Sequence, residues 1–192
     1  TPSGKIEIFS TQLAGITDWK RTQYGEPIPY LPKWIEPFES LNHPLAKKFP
    51  FHLITPHPRE RTHSIYHNIA WLRETCQQEL TLNASDAAGL GVKTGDVVEV
   101  FNDRGRCVVP VYVTERCMPK VAVLYEGAWM DIDKNGVDRA GNPDFLTADE
   151  PSPAGAFAYN TILVNIRKTD LVHRPGWDEL SAARSHVFRR DQ

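Results

Sequence analysis

Asp96-Val-Val-Glu-Val-Phe-Asn-Asp-Arg-Gly-Arg-Cys-Val-Val-Pro-Val-Tyr-Val-Thr114 sets two β-branched, strand-like runs on either side of Asn102-Asp-Arg-Gly105. The connection has hairpin length and a glycine available for positive φ, so residues 96–101 and 106–114 are expected to pair antiparallel. Phe51-His-Leu-Ile-Thr55, Glu79-Leu-Thr-Leu82 and residues 121–125 and 161–167 carry the same β-branched or alternating pattern. Six short strands imply a barrel or a sandwich. One short helix fits between them: Asn83 or Ser85 can cap it, Asp86 falls in its first turn, and Gly89 or Gly91 ends it. Lys93-Thr-Gly-Asp96 then turns into the next strand.

At 192 residues the chain can build one sizeable core and falls short of two. Its formal charge of −2, from 22 basic and 24 acidic residues, gives no global field for nucleic acid or an anionic membrane. Binding must therefore be local. No apolar run approaches the roughly 20 residues of a membrane span, and the first residues lack a basic-then-apolar signal pattern, so the sequence reads as soluble as it stands. Cys76, Cys107 and Cys117 are odd in number and without C-x-x-C spacing, which speaks against a disulfide framework, structural zinc or an iron–sulfur site. They read as small interior residues.

The chain opens at Thr1 and runs into Lys5-Ile-Glu-Ile-Phe9, which alternates as a strand does. This start reads as a cut from a longer chain or as a processed terminus. From about residue 17 to 50, Pro27, Pro29, Pro32, Pro37, Pro44 and Pro50 forbid long helices and favour extended backbone. Trp19, Tyr24, Tyr30, Trp34 and Phe38 are too many for a solvated linker, so this connector is expected to lie against another surface. Three regions result: an N-terminal strand and Pro-rich connector (1–50), a compact β part (51–168), and a tail (169–192) that reads as peripheral helix or disorder.

Leu53-Ile-Thr-Pro-His-Pro-Arg-Glu-Arg-Thr-His-Ser64 gathers two arginines, two histidines, two threonines and a serine directly after a strand. Guanidinium forks and hydroxyls suit phosphate oxygens, and imidazoles suit the polar edges of flat heterocycles, so a nucleotide-like ligand is the sharper reading. The plainer one is a solvated loop between core strands. His57, His63 and His67 imitate a zinc set, but Pro56 and Pro58 disfavour a helix and no acidic residue has matching spacing. Asp131, Asp133 and Asn135 imitate a calcium loop that lacks its closing acid, Asn142 standing there, so a polar turn is expected. Neither a G-x-S-x-G nor a G-x-x-x-x-G-K-[ST] motif is present.

Taken in order, a series of segments resembles the C-terminal part of a molybdopterin oxidoreductase catalytic subunit. It comprises Thr1-Pro-Ser-Gly-Lys-Ile-Glu-Ile-Phe-Ser10, His43-Pro-Leu45, the Leu53 to Ser64 stretch, Asn83-x-x-Asp86-Ala, Gly95-Asp96 and Phe101-Asn-Asp-Arg-Gly105. Glu126-Gly-Ala-Trp129, Val137-Asp-Arg-Ala-Gly141, Phe145-Leu-Thr147, Pro151-Ser-Pro153 and Asn160-Thr-x-Leu-Val164 continue it. The likeness is greatest to the anaerobic dimethyl sulfoxide reductase A chains and covers residues 1 to about 168.

The resemblance implies a mainly β, six-stranded double-psi β-barrel of the aspartate decarboxylase-like kind, closing over a bis(molybdopterin guanine dinucleotide) cofactor that carries molybdenum, or tungsten. By it, the loop with Thr55, His57, Arg59, Arg61, Thr62, His63 and Ser64 touches pterin and phosphate, with the Arg61 and Arg59 forks suited to phosphate. Asp144 stands where the family usually has Asn, and an ionised carboxylate only accepts hydrogen bonds. Asn160 and Thr161 fall at a further cofactor contact, and Trp129 falls near the substrate funnel or serves as a core residue. No catalytic residue and no metal ligand is assigned in this stretch.

The implied activity is reduction of an S- or N-oxide by oxygen-atom transfer in anaerobic respiration. A 4Fe-4S cluster is expected in a preceding part. The implied partners are the remaining catalytic domains, an iron–sulfur electron-transfer subunit and a membrane anchor, without nucleic acid, at a bacterial periplasmic or membrane-associated location or in the cytoplasm. Two other readings stay open: a family member acting on nitrate, polysulfide, selenate or formate, and a stand-alone β-barrel binding module without redox activity.

Overall fold

A computed structural model describes residues 1–15, 28–151 and 156–174. The six strands are β1 (Phe51–Ile54), β2 (Leu80–Asn83), β3 (Val97–Phe101), β4 (Arg106–Thr114), β5 (Val121–Leu124) and β6 (Ile162–Lys168). They close into a barrel in the order β1-β5-β2-β4-β3-β6. Two pairs, β1/β5 and β2/β4, are parallel, and the other four are antiparallel. Replacing each strand by the one three places on leaves this pairing pattern unchanged, so the barrel is two interlocked three-strand halves, a double-psi β-barrel. Closure also leaves no open sheet edge.

Alternation puts the apolar residues inside. Phe51 and Leu53, Leu80 and Leu82, and Ala122 and Leu124 are buried, while their strand neighbours are only partly covered. The hairpin read from sequence is present: Phe101 pairs with Arg106, and Asn102 N–H reaches the Gly105 carbonyl at 3.0 Å. A Cβ at Gly105 would stand 2.6 Å from the Phe145 carbonyl oxygen, so the hairpin packs without room for a side chain against the 3-10 turn Pro143–Leu146.

The helices are short: α1 (Thr11–Ala14), α2 (Ala70–Thr75) and α3 (Ala84–Leu90). Asn83 caps α3 by accepting from Ser85 N–H at 2.8 Å, and Gly91 ends it with φ 66°. Cys107 and Cys117 are buried, Cys76 is half-buried, and none forms a disulfide.

The chain divides into two units, residues 1–38 with 149–158, and residues 39–148 with 159–192. Within the first, Lys5-Ile-Glu-Ile-Phe9 is not the strand expected. No neighbouring strand among the described residues pairs with it, and Ile6 and Ile8 are exposed. An alternating pattern without a ladder partner leaves the backbone to solvent. Ser10 N–H bonds the Tyr30 carbonyl at 2.8 Å, and the Phe9 and Tyr30 rings meet edge-on. In the second unit, Glu39 is buried. Its carboxylate takes the Arg104 guanidinium at 2.5 Å and Leu163 N–H at 2.6 Å, tying the chain ahead of β1 to the barrel. Most of the tail lies outside the described residues.

The segment 131–142 lies along β4, with a parallel bridge between Cys107 and Asp138. Asp133 Oδ1 accepts from Asn135 and Val137 N–H, giving the polar turn expected there. Asp138, fully buried, accepts from the N–H groups of Asp131, Ala140 and Asn142. Burial nevertheless pushes its carboxyl up, the desolvation outweighing those backbone donors. Replacing Asp138 with Ala strands these amides. It is expected to lower the unfolding free energy by about 3 kcal/mol or more, measured by urea denaturation.

Candidate functional site: the loops at one end of the barrel

The loop leaving β1 is held at both ends. At its start, Thr55 N–H donates to Asn160 Oδ1 at 2.7 Å, and Thr55 Oγ1 donates to the Tyr159 carbonyl at 3.2 Å. His52 Nε2 lies 2.6 Å from the Asn160 carbonyl. Asn160, read as a cofactor contact, thus spends its side-chain oxygen on the root of the loop.

Arg61 fixes the loop's inner side. It is 4 % exposed, with NH1 2.7 Å from His67 Nδ1 and NH2 donating to Gln78 Oε1 at 2.9 Å and to the Glu126 carbonyl at 2.8 Å. Its Nε is buried without a hydrogen-bond partner. This changes the expectation of a fork laid on phosphate: the fork is committed inward, because the acceptors that satisfy a buried guanidinium belong to the protein. Gln78 passes the link on, donating through Nε2 to the Tyr125 and Gly141 carbonyls at 2.7 and 2.9 Å.

The outer side carries the exposed donors. Thr62, His63 and Ser64 face solvent. His57 Nδ1 lies 2.7 Å from the Pro58 carbonyl, which can only accept, so Nδ1 bears the proton and Nε2 accepts from His63 N–H at 3.1 Å. His63 adopts φ 52° and points Nδ1 at Glu126 Oε1, 2.9 Å away. Trp129 Nε1 donates to the Ser64 carbonyl at 2.6 Å, and its ring lies tilted over His67 at 6.4 Å. That makes Trp129 a brace for the loop.

Where the loop crosses Glu126-Gly-Ala-Trp129, the backbones touch. A Cβ on Gly127, which has φ 79°, would stand 2.0 Å from the His63 carbonyl oxygen. Only glycine fits this crossing.

Asp144 is exposed, its N–H capped by Asn142 Oδ1 at 2.9 Å. Desolvation raises its carboxyl, Asn142 opposes the rise, and the charge of Glu126 adds to it, so the two acids share one field. Thr161 is half-buried at the entry to β6. Arg59 is exposed and lines a separate hollow of about 290 Å³ with Glu79, Tyr112 and Tyr125. Among the described residues, His57, His63 and Glu126 are the one group whose ligand-type atoms all lie within 4.8 Å of each other. His67 sits instead on Arg61, and the His57 Nε2 lone pair is already taken by the His63 amide.

Sequence reasoning named the outer donors but missed Gln78, for which no local pattern exists. It met Glu126 and Gly127 only as part of a resemblance. The full set offers hydroxyls and imidazoles for phosphate oxygens and pterin edges, and carboxylates for amino groups. This donor chemistry fits a phosphate-bearing heterocycle.

The family model described as the molydopterin dinucleotide binding domain matches residues 51–162. The chain belongs to the molydopterin dinucleotide binding domain family. Its matched span runs from the first residue of β1 to the first of β6, and the family's description supports a molybdopterin dinucleotide as its cofactor. Dimethyl sulfoxide reductase DmsA of Escherichia coli (strain K12) is 43% identical over 169 residues, which are 88% of this chain and 21% of that protein. Trimethylamine-N-oxide reductase 1 of the same organism is 38% identical over 179 residues, covering 88% of this chain and 20% of its own length. The chain therefore spans about a fifth of the curated relatives it matches. Acetylene hydratase from Pelobacter acetylenicus shares the fold with TM-score 0.67 at 21% identity, over 88% of this chain and 24% of that one. Among the described residues, no helix is long and apolar enough to cross a membrane.

Gly127→Ala must push back the His63 carbonyl and hold an alanine at positive φ. A loss of at least about 2 kcal/mol is expected, measured by thermal denaturation, together with faster amide exchange in residues 57–64.

Proposed function

We propose that this chain is the C-terminal cofactor-binding domain of the catalytic subunit of a molybdenum oxidoreductase that reduces an S- or N-oxide by oxygen-atom transfer in anaerobic respiration. One observation carries the reading: the residues matched by the dinucleotide-binding family coincide with a barrel whose β1 exit loop presents Thr62, His63 and Ser64 outward on a braced backbone. The names of the relatives, dimethyl sulfoxide and trimethylamine-N-oxide reductases, support the substrate class. The cofactor in this reading is bis(molybdopterin guanine dinucleotide) with molybdenum, tungsten being the alternative metal.

When bound, that group supplies the two-electron redox chemistry and the acceptor for the oxygen atom. The residues of this chain bind and orient it. Ser64 and Thr62 offer hydroxyls to phosphate or pterin oxygens. His63 is aimed by Glu126 and His57 is held by Pro58, so both imidazoles meet a ligand already oriented and little side-chain entropy is lost. Asn160 retains its amide N–H groups for the ligand while its oxygen holds Thr55. Asp144 accepts from an amino or ring N–H, and Thr161 follows Asn160 at the entry to β6. Arg59 provides a cation from the loop's flank, and Trp129, braced on Ser64, borders the substrate approach.

No side chain here is assigned to catalysis or to the metal. Those groups, and a 4Fe-4S cluster, belong in this reading to the remaining domains of the catalytic subunit. An iron–sulfur electron-transfer subunit and a membrane anchor complete the assembly, at the periplasmic face of a bacterial membrane.

Acid hydrolysis of the full-length protein is expected to release a fluorescent oxidised pterin and GMP. Metal-replete, active preparations yielding neither would reject the reading. The 192-residue chain alone is expected to show no reductase activity with reduced viologen as electron donor.

A further inference from the structure

Among the described residues, every hydrogen bond of the Arg61 guanidinium ends on an uncharged atom. Those atoms are the His67 Nδ1, which must hold a lone pair to accept, the Gln78 amide oxygen and the Glu126 backbone carbonyl. Among the described residues, none of its ion pairs is with a carboxylate, although the side chain is almost wholly buried and its Nε is orphaned. An arginine keeps its proton in such surroundings, so the group is a permanent cation. A buried charge satisfied only by dipoles is screened less than an exposed one, with the Glu126 and Glu60 carboxylates acting on it from a distance.

Such a cation is costly to bury, and an apolar residue of similar volume is often as stabilising or more so. Its position gives the cost a purpose. The carbonyl that Arg61 holds belongs to Glu126, one residue before the glycine that touches the His63 carbonyl. The charge therefore lies one backbone layer below the outer donors Thr62, His63 and Ser64.

We propose that Arg61 is a positioning residue: a fixed, unpaired cation beneath the Thr55–Ser64 loop that attracts the anionic dinucleotide through the loop without touching it. The inference rests on the reading above that the ligand is a phosphate-bearing pterin. The Glu126 carboxylate, on the outer side of the same crossing, partly offsets the field. Removing that charge should act in the opposite sense to removing Arg61.

Arg61→Lys and Arg61→Met both destroy the fork, but only the first keeps the charge. Glu126→Gln removes a charge while preserving an acceptor for His63. The three variants and the wild type are prepared as full-length protein. Each is assayed for pterin and GMP retained after gel filtration in low and high salt, and for the metal's midpoint potential by a redox titration followed by electron paramagnetic resonance.

Arg61→Met is expected to retain several-fold less cofactor than Arg61→Lys and to show a lower potential in the fraction that remains. Glu126→Gln is expected to retain at least as much as wild type, at a higher potential. Equal retention and equal potential in the two Arg61 variants would reduce the residue to a mechanical brace and overturn the proposal. If Arg61→Met fails to fold by circular dichroism, Arg61→Gln takes its place, and retention and potential equal to those of Arg61→Lys overturn the proposal. A wild-type protein yielding neither pterin nor GMP would instead reject the functional reading, a separate outcome.

Discussion

The contact between the Arg61 fork and Gln78 pins together three segments that are far apart in sequence. Arg61 holds the Glu126 carbonyl and His67, and Gln78 holds the Tyr125 and Gly141 carbonyls. His67 and Gly141 are buried and Glu126 is half-buried, and an unpaired buried polar group costs as much as a lost hydrogen bond. The loop after β1, the crossing after β5 and the end of the segment along β4 therefore take their positions together. Gly127 records how tight that arrangement is, since nothing larger than a hydrogen separates its Cα from the backbone it crosses.

Outside this cluster the same solution recurs: a polar side chain beside a strand end accepts the strand's terminal amide. Asn160 does this for Thr55 at the exit of β1, and Thr94 Oγ1 for Val113 near the exit of β4, at 3.0 Å. These strand ends are equivalent under the three-strand repeat. The two halves then diverge. The loop after β1 is rich in donors, whereas the stretch after β4 is closed off by Asp86, which takes Lys120 N–H at 2.6 Å, and by Asn83, which donates to the Cys117 carbonyl. One repeat leaves the donors of its loop exposed, and the other uses the corresponding loop to hold α3.

The strands were legible because a half-buried strand writes its environment into every second residue, and all six runs fall within a residue or two of their observed ends. Asn83 and Gly91 were legible as cap residues for stereochemical reasons local to the helix. Lys5 to Phe9 misled because alternation shows only that a run could be a strand, while a ladder needs a partner that periodicity does not contain. Arg61 was recognised as important and read as suited to phosphate, whereas its fork lies on protein acceptors. A sequence lists donors and does not say on which side of a loop they point; His67 and Gln78 draw this one inward. Thr62, His63 and Ser64 are exposed, and His63 is held from the side by the Glu126 carboxylate.

Barrel closure has a consequence for biosynthesis. The first strand pairs with the last, and Asn160, just ahead of that last strand, anchors the root of the cofactor-family loop. While the ribosome has yet to deliver residues 160–168, β1 and β3 each lack a neighbour and Thr55 has no tether. The loop thus takes its final position only when the barrel is sealed, which orders events in time: translation through β6 first, loading of any prosthetic group afterwards.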